Sequence, residues 1–140
     1  MRPARRTYAI DANVILRYLI QDDNKLAAKA VAIMEAVDDG TISVVCDPVT
    51  LAEVVWVLTS HYGLSAKRVA EGLGPILKAD HFLMENKSRY VRAIDLFADS
   101  VPHFGDACAC AAALEKSDGS LLSFDRRLSR VEGVKRRESG

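Results

Sequence analysis

No apolar run in this chain of 140 residues reaches the roughly 20 positions that a membrane-spanning helix needs. The basic opening MRPARRTY leads into a run far too short for a signal-peptide core, so a cytoplasmic protein with no membrane partner is expected. Cysteine is scarce too. Three residues cannot all pair, and Cys108 and Cys110 stand two apart in a helical pattern, about 200° apart around the axis. They read as small core residues, which excludes a disulfide framework or a zinc cluster. Net charge is missing as well: 19 basic residues balance 19 acidic ones, so bulk electrostatics give no argument for nucleic-acid binding. The chain also lacks a G-x-x-x-x-G-K-[ST] loop, a G-x-G-x-x-G fingerprint and a histidine in a nucleophile setting. Nucleotide-fuelled chemistry and a seryl or cysteinyl triad therefore have no support.

What is present is the balance of an ordinary folded domain, 49% apolar and 27% charged, with no repeat and no low-complexity block. One domain spanning 1–140 is expected, with basic, flexible ends at 1–6 and 137–140. Arg2, Arg5 and Arg6 gather at the start, Lys135, Arg136 and Arg137 at the finish, and Arg126, Arg127 and Arg130 between. A solvated surface and a phosphate-binding rim are both open readings of these cations.

Tyr8 to Ile10, Ser43 to Cys46, Phe82 to Met84 and Ser120 to Phe124 are short apolar runs bounded by polar or turn residues, the pattern of strands buried on both faces. A last edge strand is expected over Val134 to Arg136. Between them Leu26, Ala30, Ile33, Met34 and Val37 repeat at helical spacing, as do Tyr90, Ile94 and Phe97. Such alternation predicts an α/β fold, a central mostly parallel sheet of four to five strands flanked by helices on both faces. Gly72, Gly74 and Pro75 interrupt the period over Ala66 to Lys78, where a kinked or broken helix is expected. In TLAEVVWVL the apolar positions cover every side of a helix. Val54, Val55, Trp56 and Leu58 then either face a partner or fill a helix held between two neighbours.

Four acids fall where strands give way to helices: Asp11 after the first strand, Glu53 after the second, Asp106 at the start of ACACAAALEK and Asp125 after SLLSF. Each has a structural use. Asp11 and Asp125 suit helix N-caps, Thr50 and Glu53 a capping box, and Asp106 the positive end of its helix. The coincidence of the four asks for more. In open parallel sheets ligands bind at the carboxyl edge, and converging carboxylates repel unless a cation joins them. Oxygen donors without a Cys or His cluster select Mg²⁺ or Mn²⁺, and such a site suits phosphodiester hydrolysis.

At these residues the chain resembles a PIN domain, most closely the toxin ribonucleases of VapBC toxin–antitoxin pairs, through YAIDANVILRYLIQDD, LAEVVWVL with HYGLS, HFGDACACAAAL and LLSFDRRLSR. DAN stands where that family more often has DTN, and FGDA where it has FADA; neither change removes a carboxylate. The resemblance implies RNA cleavage, with Asp11 and Asp106 as direct ligands of Mg²⁺ or Mn²⁺ and Glu53 and Asp125 acting through water or a second ion. Asn13 and Ser123 are then supporting hydrogen-bonding residues. It further implies a homodimer, an antitoxin that wraps over the apolar helices and blocks the acidic pocket, and RNA steered by Arg126 and Arg17. A catalytically silent PIN-like module that binds RNA or protein is the alternative. A phosphatase with Asp11 as nucleophile is a third reading, for which Lys116 is the candidate balancing cation.

Overall fold

The alternation of short apolar runs and helical periods produces, among the described residues, five strands and six α-helices in the expected order. The structure, a computed structural model, describes residues 5–22 and 24–140; Arg2, counted above among the basic residues, lies outside them. Along the chain these are β1 (Arg6–Ala9), α1 (Ala12–Ile20), α2 (Asn24–Asp38), β2 (Ile42–Val45), α3 (Pro48–Ser60), α4 (Ala66–Lys78) and β3 (Phe82–Leu83). Then come α5 (Lys87–Asp99), α6 (Phe104–Lys116), β4 (Ser120–Leu122), a short 3₁₀ helix (Arg126–Arg130) and β5 (Lys135–Arg137). Every strand pairing is parallel, as the crossover helices require. The fold is α/β.

The strands fall into sheets of three and two, one in each of two compact units. The first unit, Met1–Leu64 with Pro75–Glu85, holds the order β1-β2-β3, with Ala9 opposite Val45 and Val44 opposite Phe82. In it α1 packs on α2 and α3, and α2 on β2, around Ile15, Val44, Leu51, Leu58 and Phe82. β1 differs from the expected strand buried on both faces. All four of its residues are exposed, and among the described residues it is the end strand of its sheet, paired with β2.

α3 resolves its own ambiguity residue by residue. Val54, Val55 and Leu58 are buried, while Trp56 is 64% and Val49 77% exposed. The apolar surplus of this helix is therefore absorbed at three of the four positions, and Trp56 alone of them stands in solvent.

Of the kinked or broken helix expected here, the break does not occur: α4 runs through Gly72, Gly74 and Pro75 as one helix. Val69, Leu73, Ile76 and Leu77 repeat at helical spacing and are all buried, and Pro75 stands on the exposed side. Burial of such a face outweighs the weak propensity of Gly and Pro.

In the second unit, Ser65–Gly74 with Asn86–Gly140, α5 lies along α6, α6 meets β4, and the 3₁₀ helix meets β5. The small residues Ala107, Cys110, Ala111 and Ala113 let α6 approach closely, and Phe97 meets Phe104 edge to face at 5.8 Å. The three cysteines are free; burial pushes the thiols of Cys46 and Cys108 up to about 11, as suits core residues. Where β4 begins, Gly119 has φ +95°, and a Cβ there would lie 1.9 Å from the carbonyl oxygen of Gly133. Gly119→Ala is expected to cost about 2–4 kcal/mol in a urea titration, since neither backbone can yield without losing the β4–β5 pairing. A change within about 0.5 kcal/mol would show that this close approach does not hold the strands.

Candidate functional site

Asp11 leaves β1 after Ile10 and occupies the N-cap position of α1 in extended conformation, φ −94° and ψ 153°. Its carboxylate makes no capping hydrogen bond. The local use expected of an Asp at this turn is therefore not taken up, and the side chain is exposed. Asn13, in the first turn of α1, is exposed as well. Asp11 also lines an open concavity of about 430 Å³, together with Tyr8, Ile10, Val14, Ile33 and Val44.

Glu53 belongs to the same unit. The capping box expected from Thr50 to Glu53 does not form, because α3 begins earlier: Asp47 is the N-cap and accepts from the Val49 N–H at 2.8 Å, with Pro48 in the first turn. Pro48 favours that start, since it lacks the N–H that a first-turn residue would leave unpaired. Glu53 thus sits in the second turn, exposed and free of the backbone. Parallel pairing of β1 with β2 puts the carboxyl ends of both strands at one edge of the sheet, and α1 and α3 both start from that edge.

The second unit holds the other two acids. Asp106 lies in the first turn of α6, half-buried, behind an N-cap position filled by His103 without a side-chain bond. Asp125 follows β4 and caps the 3₁₀ helix. Its Oδ1 accepts from the Arg127 N–H at 3.0 Å and from Arg127 Nε at 3.0 Å, and its Oδ2 accepts from Nη2 at 2.7 Å. The hydroxyl of Ser123 accepts the Asp125 N–H at 3.0 Å, which holds the turn that presents the carboxylate. Asp106 and Asp125 share surroundings: both charges act on the Cys110 thiol, reinforcing the upward push of burial, and Asp106 also acts on the Arg127 guanidinium.

As a donor set these residues offer carboxylate, amide and hydroxyl oxygens, which match Mg²⁺ or Mn²⁺ and not a thiophilic ion. Within neither unit, among the described residues, does a group of at least 3 His, Cys, Asp or Glu gather closely enough to hold a metal ion. Each unit contains two of the four acids. From sequence, Arg127 reads only as one of the cations of a solvated surface or a phosphate-binding rim, not as a partner of Asp125. The signal available was FDRRL, a cation two residues after an N-cap acid, which is a common surface arrangement.

The family model described as PIN domain matches residues 8–134, a range that includes all four acids. The chain belongs to the PIN domain family. A nuclease-type function in general goes with that membership. The comparison with curated proteins found no match.

In this PIN domain the Arg127 side chain, then its N–H, hold the Asp125 carboxyl down at about 2, below its ordinary 3.8. A depressed folded value contributes stability above the ordinary pKa and loses it as pH falls through about 2. Carboxyl NMR titration is expected to place Asp125 near that value and to move it upward in Arg127→Gln. An ordinary midpoint in the native chain would mean that the fork is not held in solution.

Proposed function

We propose that this PIN domain is an endoribonuclease that hydrolyses RNA phosphodiester bonds with Mg²⁺ or Mn²⁺ and acts as the toxin component of a toxin–antitoxin pair. The observation that carries this reading is the unspent carboxylate of Asp11, at a helix start where capping was open to it. Glu53, freed from the capping box, supports it further.

In this reading Asp11 and Asp106 ligate the cation directly, and Glu53 and Asp125 act through water or on a second ion. The bound ion supplies Lewis-acid charge stabilisation at phosphate and lowers the pKa of water. Asn13, two residues after Asp11, orients the water or the carboxylate by hydrogen bonding, and Ser123 fixes the backbone from which Asp125 projects. The protein's own part is to hold negative oxygens in place and to position the phosphodiester. Arg126, exposed beside Asp125, is a candidate to meet RNA phosphate. Arg17 is tied to Asp22 at 3.4 Å and has to release it to do the same.

The toxin reading also includes a cytoplasmic location, a homodimer and an antitoxin over the apolar helices. Among the described residues, no helix is long and apolar enough to cross a membrane. Trp56 and Val49 give α3 an apolar surface of the kind a partner covers. One observation favours the silent binding module instead: Asp125 is already committed to Arg127. Nothing similar supports a phosphatase, because Lys116 stands in the last turn of α6 and pairs with Glu115 at 3.7 Å.

Cleavage of structured and single-stranded RNA in Mn²⁺ is expected, with a loss of at least about 100-fold in Asp11→Asn and Asp106→Asn and complete loss in excess chelator. Activity that survives both substitutions, or chelation, rules out the metal mechanism; no activity in the native chain favours the silent module. Trp56→Ala is expected to keep the fold and to weaken dimer and antitoxin binding by about tenfold or more, as loss of a buried aromatic anchor does. Unchanged sedimentation and antitoxin affinity would remove Trp56 from the interface.

A further inference from the structure

The fork between Asp125 and Arg127 puts a cation on the carboxylate that the metal reading needs. We propose that Arg127 is a resident counter-cation of Asp125, and that a divalent ion must displace its guanidinium before Asp125 can serve the site. This rests on the metal-dependent reading above.

The bonding is divided in a way that makes such displacement possible. Oδ1 of Asp125 is held by the Arg127 backbone N–H as well as by Nε, whereas its Oδ2 meets the side chain through Nη2. Withdrawal of the guanidinium therefore leaves the cap of the 3₁₀ helix in place and frees Oδ2. The Arg127 side chain is 55% exposed and that of Asp125 26%, so water can take over the guanidinium as it leaves. Exposed pairs of this kind open at small cost, which suits a placeholder better than a permanent clamp. Asp106 also attracts Arg127, so one guanidinium is drawn by both acids of this unit. A dication brings twice the charge to the same oxygens and has no need of directed N–H bonds, so the two cations compete.

Mn²⁺ binding to the full chain, measured by calorimetry, tests this. Arg127→Gln is expected to bind Mn²⁺ roughly two- to fivefold more tightly than the native chain, the scale on which an exposed ion pair opposes a competitor. Arg130→Gln removes the same charge from the same 3₁₀ helix without touching Asp125, and is expected to change the affinity by less than about 1.5-fold. In ¹⁵N spectra the Arg127 Nε–H signal is expected to move to the position of a solvated guanidinium as Mg²⁺ saturates the native chain. Equal affinities in the two arginine variants, or an Nε–H signal that stays in place at saturation, overturn the proposal for Arg127. Mn²⁺ affinity unchanged in Asp106→Asn, or no binding in the native chain, overturns the metal reading itself.

Discussion

Because β1 pairs with β2 in parallel, Ala9 against Val45, the chain must cross over the sheet between them, and both strands deliver their carboxyl ends to one edge. α1 and α3 then have to start there. Residues at such starts face unpaired backbone N–H groups and the positive ends of two helices, a setting that tolerates negative charge. Asp11 and Asp47 both occupy N-cap positions at this edge, and the contrast between them is informative. Asp47 spends its carboxylate on the Val49 N–H; Asp11, in the same kind of position, does not. The same backbone arrangement thus supplies one acid that caps its helix and one whose carboxylate makes no capping bond.

The second unit repeats the logic with a different balance. Asp106 rides in the first turn of α6, and Asp125 follows β4, but here a cation is already present in the form of Arg127. The Arg127 guanidinium gives Asp125 its counter-charge and also attracts Asp106. Ser123 and the Arg127 N–H position the Asp125 backbone and carboxylate independently of that guanidinium, so the turn has supports besides the ion pair.

Much of this was legible in the chain itself, and the failures have identifiable causes. The five strands lie within a residue or two of the apolar runs that announced them, and helical spacing located α2 and α5. Thr50 looked like a cap only because Thr-x-x-Glu matches the capping-box pattern; Pro48, favoured at the first helical position, moved the start of α3 back to Asp47. α4 looked broken because Gly and Pro are weak helix formers, but Val69, Leu73, Ile76 and Leu77 are buried along one side and outweigh them. Local pattern therefore erred at α4, where the packing of a whole face decided the outcome, and at α3, where one local signal overrode another.

Sequence by itself determined the order of strands and helices, their α/β class, membership of the PIN domain family and the placing of Asp11, Glu53, Asp106 and Asp125 where strands yield to helices. Those features depend on periodicity and on junction residues, which are local properties of the chain. Tertiary structure alone decided which carboxylates are spent. Asp11 and Asp125 read alike as N-cap acids, yet only one forms the cap and takes an arginine, because hydrogen bonding depends on where donors stand in space and not on residue type. It also decided that Val54, Val55 and Leu58 face inward while Trp56 faces out, since an all-apolar helix carries no mark of its buried side until its neighbours are in place.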